Sequence, residues 1–144
     1  MKNTNKMYLR FDSKSENERF ARGVCSAFLL GLDPTLEEIS EIKTAISEAV
    51  TNAIIHGYNG GDGEIEKTAQ IEDREVTYTI TDFGCGIKDI ETARKPLYTN
   101  KPDGERSGMG FSIMEAFTDE LLVESKAGKG TKITMKKRIS ENVG

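Results

Sequence analysis

The sequence predicts an α+β fold: a two-layer sandwich in which a mixed, mostly antiparallel sheet is covered on one face by about three helices. Three observations lead there. Apolar periodicity gives the order β, α, α, β, β, then an irregular stretch, then α, β, β. The later strands come in adjacent pairs joined by short polar turns, as antiparallel neighbours do. A length of 144 residues with 36% hydrophobic content suits one domain, residues 1–144, around a single core.

Each element has its own signal. Met7, Leu9 and Phe11 alternate with polar residues and predict a first strand. Ser13-Lys-Ser-Glu16 and Ser15-Glu-Asn-Glu18 both match a capping box, after which Phe20, Val24, Ala27, Phe28 and Leu32 recur at helical spacing. That predicts a helix from about Ser15 to Leu30, closed by Gly31. Asp33-Pro34 supplies a cap and a first-turn proline for a second helix running to His56, with Ile39, Ile42, Ile46, Ala49 and Ala53 as its apolar stripe. Gly57 and Asn59-Gly-Gly-Asp-Gly63 then turn the chain. Strands follow over about Ile65 to Ile71, weakly patterned, and Val76 to Asp82. From about residue 87 to 107 periodicity is lost, and Pro96, Pro102 and Gly104 interrupt the chain, so this stretch reads as a lid. Helical spacing resumes from Gly108 through Met109, Ile113 and Phe117. Leu121 to Ser125 and Thr131 to Lys137 close the fold around Gly128-Lys-Gly130.

Composition narrows the function. Net charge is −4 and the cations are scattered, which argues against nucleic acid as a direct ligand. No run approaches the roughly 18 apolar residues of a membrane span, and Met1-Lys-Asn-Thr-Asn-Lys6 lacks an apolar signal stretch, so a cytoplasmic protein is expected. Cys25 and Cys85 fit no metal spacing and read as free thiols.

The second helix carries candidate chemistry. At about 100° per residue, Asn52 lies about 40° from Glu48 and His56 about 40° further, so the three line one edge beside the apolar stripe. A carboxylate there can accept a proton from a hydroxyl nucleophile, and an amide oxygen one turn later can ligate Mg²⁺. Glu48 taken alone also reads as a solvated helix residue, and His56 as a polar group favoured at a helix C-terminus. Asn52 resists such a reading, because asparagine is a poor helix former and has no cap to make in mid-helix.

Strand parity gives an independent clue. Val76, Tyr78, Ile80 and Asp82 share one face, so Asp82 points with the buried residues. A buried carboxylate needs a donor, and the exocyclic amine of adenine is a suitable one. Thr131 shares parity with Ile133 and Met135 and would face the same space. Gly84 and Gly86 permit a sharp turn and close approach of a ring. Ser107-Gly108-Met109-Gly110 opens a helix whose free N–H groups suit phosphate, with Lys101 and Arg106 of the lid as further cations.

Together, Glu48 to His56, Asp82 to Gly86 and Ser107 to Gly110 resemble the N, G1 and G2 boxes of the GHKL superfamily of ATP-binding domains, which includes gyrase and the histidine kinases. Ser47 to Tyr58 and Glu105 to Phe111 look specifically like the anti-sigma F factors of sporulating bacteria, as do Phe20-Ala-Arg22, Leu32 to Thr35 and Lys101-Pro102. The resemblance implies a Bergerat ATP-binding fold and a homodimer. It implies ATP-dependent binding to a sigma factor of the F type, and serine phosphorylation of an anti-anti-sigma factor with ADP as product. By position, Glu48 becomes the catalytic base, Asn52 the Mg²⁺ ligand, Asp82 and Thr131 the adenine readers, and Arg22 a partner contact. Gly84, Gly86, Thr99, Ser107, Gly108, Met109, Gly110 and Phe111 complete the nucleotide site. Where the family tends to have two threonines before Lys101-Pro102, this chain has Thr99-Asn100. A related general-stress anti-sigma kinase and a non-catalytic ATP-dependent binding module are the alternatives. A two-component histidine kinase domain fits less well, because the lone His56 lies inside the N box.

Overall fold

A computed structural model of the chain describes residues 3–87, 89–94 and 110–141. The expected lid therefore falls largely outside the described residues, as do Thr99, Lys101, Arg106, Ser107, Gly108 and Met109.

The elements run β1 (Thr4–Asp12), α1 (Ser15–Leu29), a 3-10 turn (Leu30–Leu32), α2 (Leu36–Asn52), a π-helical turn (Ala53–Gly57), β2 (Glu64–Glu72), β3 (Glu75–Asp82), α3 (Ile90–Ala93), α4 (Gly110–Ala116), β4 (Glu120–Lys126) and β5 (Gly130–Arg138). The five strands form one sheet in the order β1-β2-β3-β5-β4. All of these pairings are antiparallel, so the expected mixed sheet is corrected to a purely antiparallel one. The β2–β3 and β4–β5 connections are hairpins, and α1 and α2 return the chain from β1 to an antiparallel β2; β3 and β4 run in the same sense, and β5 inserted between them keeps every neighbouring pair antiparallel.

One sheet face builds the core. Ile65, Ala69 and Ile71 of β2, Val76, Tyr78 and Ile80 of β3, and Ile133 and Met135 of β5 are buried against Ala21, Cys25 and Leu29 of α1 and the Ile42, Ala45, Ile46, Ala49, Val50 stripe of α2. The alternate strand residues face outward, with Tyr8 and Leu122 exposed, as is Phe83 just after β3. The weak pattern of β2 has a specific cause: its inward position 67 is a lysine with 0% exposure. Lys67 Nζ lies 3.5 Å from the Ala21 carbonyl oxygen and 5.3 Å from the centre of the Tyr78 ring, so an oxygen and a π face replace water. Tyr78 donates its hydroxyl to the Cys25 carbonyl at 3.1 Å. Burial pushes the Cys25 thiol up to about 11, with the Lys67 charge opposing, which leaves it an unreactive packing group.

Several local expectations are corrected. The α1 cap position is Lys14 and has no side-chain hydrogen bond, so neither serine box forms; Asn17 Nδ2 donates to the Asp12 carbonyl at 2.9 Å. Asp33 rather than Gly31 takes the left-handed conformation that ends the first helical segment (φ 50°), a conformation aspartate tolerates. The α2 cap is Thr35, because Glu38 three residues on completes a capping box. Thr35 Oγ1 accepts from Glu38 N at 3.0 Å, and Glu38 Oε1 accepts from Thr35 N at 2.9 Å. The same carboxylate accepts from Ser140 N at 2.8 Å and ties the C-terminal segment to α2. Finally, the stretch read as irregular contains α3, a single turn capped by Asp89, whose side chain accepts from Thr92 N at 3.1 Å. One turn is too short to show a period.

Candidate functional site

The site begins where α2 changes pitch. Tyr58 N donates to the Ala53 carbonyl at 3.0 Å, an i to i+5 bond that widens the last turn. Glu48 and Asn52 precede the change and stand one α-helical turn apart, both half-buried, as the 3.6-residue period predicts. His56 lies within the widened turn, so the 100° step used to place it no longer applies. The turn leaves its last carbonyls without helical partners, and the glycine loop after β3 supplies them. Cys85 N donates to the Gly57 carbonyl at 2.8 Å and Cys85 Sγ to the His56 carbonyl at 3.0 Å. The two motifs, apart in sequence, are thus one backbone unit.

Asp82 closes β3 and is 3% exposed, facing inward as parity predicts. Its Oδ1 accepts from Gly84 N at 3.0 Å, and the Thr131 amide also donates to the carboxylate. Burial raises its pKa and outweighs these two amides, so the group lacks solvation and holds unused acceptor capacity. The surrounding backbone is too close for any side chain. A Cβ on Gly57 would sit 2.7 Å from the Asp82 carboxylate, and one on Gly84 would sit 1.9 Å from the Gly57 carbonyl oxygen. Gly86 has φ +75° and packs its backbone against the Lys126 carbonyl. The glycines therefore bring the π turn, the carboxylate and the β4–β5 hairpin into close backbone contact.

Thr131 lies opposite Asp82 in the β3–β5 register and is 4% exposed. Its Oγ1 is 2.8 Å from Ser125 Oγ, which accepts from Ile87 N at 2.7 Å and donates to the Gly130 carbonyl at 2.9 Å. With the Ser125 proton committed to Gly130, Thr131 supplies the proton of their mutual bond and keeps its own lone pairs for an amine donor. Sequence reading missed Ser125, although it shares inward parity with Val123. It also missed Gly57 and Tyr58. Tyr58 donates its hydroxyl to the Glu64 carbonyl at 2.5 Å and accepts from Phe83 N at 2.8 Å, bracing the loop that starts at Asp82.

The other expected site residues are less concentrated. Gly110 opens α4, and the Phe111 side chain is buried in the core, so only its backbone is available to a ligand. Arg22 stands half-buried on α1, its Nε 3.7 Å from Glu18 Oε1. Among the described residues no group of three His, Cys, Asp or Glu side chains could hold a metal ion, and no helix is long and apolar enough to cross a membrane. The cysteines are free.

Residues 11–137 match the model of the histidine kinase-like ATPase domain. An anti-sigma F factor from Clostridium acetobutylicum is 59% identical over 136 residues, covering 94% of this chain and 95% of the relative. One from Geobacillus kaustophilus is 55% identical over 139 residues, covering 96% and 95%. Among solved structures, the RsbU and RsbW domains of a Mycobacterium tuberculosis protein superpose with a TM-score of 0.69 at 23% identity, covering 95% of this chain and 33% of that one. The catalytic domain of the histidine kinase ThkA superposes with a TM-score of 0.58 at 16% identity, covering 92% and 96%.

Proposed function

The chain belongs to the histidine kinase-like ATPase family and, within it, to the anti-sigma F factors; from that premise we propose that it is an ATP-dependent protein-serine kinase that also holds a sigma factor. The single observation that carries the nucleotide assignment is Asp82. A buried carboxylate with spare acceptor capacity, framed by glycine backbone, suits a flat ring bearing an amine that would slot against that backbone. Asp82 and Thr131 read that amine, Gly57, Gly84 and Gly86 set the slot, and the Ser107 to Gly110 segment with Phe111 N and Thr99 serves the phosphates.

Asn52 contributes one hard oxygen to Mg²⁺. With no acidic cluster among the described residues, the remaining donors come from phosphate and water, as is common for this ion. When bound, MgATP supplies the phosphoryl group. Glu48, one turn from Asn52, takes the proton of the incoming serine hydroxyl, and keeping base and metal ligand on one rigid helix fixes their spacing. The protein substrate is an anti-anti-sigma factor, the bound sigma factor is of the F type, and the working unit is a cytoplasmic homodimer of single-domain chains, all as the family resemblance implies.

The test is incubation of the protein with γ-labelled ATP, Mg²⁺ and the anti-anti-sigma protein. Label appearing on a substrate serine is the expected result. Nucleotide-dependent sigma binding without label transfer would replace the kinase by a binding module.

A further inference from the structure

Ser125, near the end of β4, uses every bonding position its hydroxyl has. Its oxygen accepts from Ile87 N at 2.7 Å, its proton goes to the Gly130 carbonyl at 2.9 Å, and Thr131 Oγ1 stands 2.8 Å away. A hydroxyl has one proton and two lone pairs. With the proton on Gly130 and one lone pair on Ile87, the remaining lone pair accepts from Thr131. The Thr131 hydroxyl is therefore a donor to Ser125 and has no proton left for a ligand. Thr131 is itself held in place: it is 4% exposed, lies opposite Asp82 in the β3–β5 register, and gives its amide N–H to the Asp82 carboxylate.

Two acceptors side by side select what can face them. Cβ atoms of directly opposed strand residues are about 5 Å apart, so one exocyclic group can lie against both side chains. An amine with two protons satisfies an ionised Asp82 and a Thr131 whose proton is committed, whereas a ring carbonyl would set lone pairs against lone pairs. Asp82 alone is the weaker discriminator. Burial raises its pKa, and a protonated carboxyl can donate to a carbonyl. Thr131 has no such second form while Ser125 holds its proton.

We propose that Ser125 is a positioning residue for base selection: by taking the Thr131 proton it keeps Thr131 an acceptor, and so makes the site prefer a 6-amino purine to a 6-oxo purine. The proposal rests on the nucleotide reading above, in which Asp82 and Thr131 face the base, and adds a residue that acts only through Thr131. A site built to pair one polar group rejects its mismatch strongly, because buried groups are then left unsatisfied.

ATP and ITP test this, since inosine replaces the 6-amine by a carbonyl, with a proton moved to N1, and leaves sugar and phosphates alone. Dissociation constants for both, with Mg²⁺, are measured calorimetrically for wild type, Ser125→Ala, Ser125→Cys, Ser125→Thr and Thr131→Val. The ITP-to-ATP ratio of dissociation constants should fall at least about fivefold in Ser125→Ala. Ser125→Cys should give a similar fall, because sulfur accepts poorly, and it fills the same space should the alanine protein fail to fold. Ser125→Thr keeps the hydroxyl and should hold the ratio within about twofold of wild type. Thr131→Val removes the acceptor, and adding Ser125→Ala to it should change the ratio no further. A Ser125 that merely braces the loop would weaken both nucleotides alike, so a wild-type ratio in both Ser125→Ala and Ser125→Cys overturns the proposal. A ratio that still responds to Ser125→Ala in the Thr131→Val background also overturns it. Failure of the nucleotide reading looks different. Wild type would then bind ATP and ITP equally and Asp82→Asn would change neither, which removes both assignments; discrimination that needs Asp82 but not Ser125 removes this one alone.

Discussion

Asp82→Asn removes a charge while keeping size and shape, so it isolates what the buried carboxylate contributes. In the free protein Asp82 is 3% exposed and has amide donors from Gly84 and Thr131. An asparagine there would turn its oxygen toward those two amides and present its NH₂ to the slot, placing donor against donor where the adenine amine belongs. A charge-assisted hydrogen bond contributes about 1.5 to 3 kcal/mol, which corresponds to a roughly ten- to 150-fold loss of nucleotide affinity. Folding should respond in the opposite sense. Burial raises the Asp82 pKa above its ordinary 3.8, so the native state holds this proton more tightly than the unfolded chain does. Stability contributed by this group therefore increases as pH falls through the raised value and levels off below the ordinary one. At neutral pH the ionised group is a cost that asparagine relieves. Calorimetric titration with ADP and ATP should show the affinity loss, and thermal melting without nucleotide should show an equal or higher Tm. In wild type, nucleotide affinity should fall as pH drops toward the carboxylate range, and in Asp82→Asn that component should vanish. Wild-type affinity in the variant would refute the adenine assignment.

Further outcomes bear on other parts of the account. Glu48→Gln should keep ATP and sigma binding while lowering the phosphorylation rate by about 10² to 10⁴, and an unaltered single-turnover rate would remove Glu48 from the base role. Gly84→Ala would place a Cβ 1.9 Å from the Gly57 carbonyl oxygen, so the loop must shift and nucleotide binding should be lost. Binding within about threefold of wild type, a difference of less than 1 kcal/mol, would show that the slot is not held by that contact. Thr35→Ala deletes the capping box of α2 and should cost about 1 kcal/mol, or roughly 3 °C in Tm, without changing nucleotide affinity at fixed temperature. A melting temperature equal to that of wild type would mean that the box contributes nothing measurable.

Much of this was legible in the sequence because two periods carried it. Alternation placed Asp82 and Thr131 inward, and the register pairs them. Helical spacing put Glu48 and Asn52 on one edge of α2. What escaped had no period to display. The π turn at Ala53–Gly57 depends on carbonyls being captured by Cys85, a contact between distant segments. Gly57 reads locally as a helix stop, and only the tertiary fold shows that it lies against the Asp82 carboxylate. Lys67 blurred the β2 pattern because its solvation comes from the Ala21 carbonyl and the Tyr78 ring rather than from water. At the α1–α2 junction Asp33 reads as the cap of the second helix, and the reciprocal bonds of Thr35 and Glu38 move it two residues on.

The central claim is that a nucleotide base lies between the π turn and the end of β3, with the transfer chemistry beside it on α2. A crystal structure of the protein grown with Mg²⁺ and a non-hydrolysable ATP analogue tests this most directly. The account predicts the adenine amine within hydrogen-bond distance of Asp82, the ring against the Gly57 and Gly84 backbone, and the metal on the Asn52 side-chain oxygen. Analogue bound elsewhere, with Asp82 still facing only the amides of Gly84 and Thr131, would contradict it.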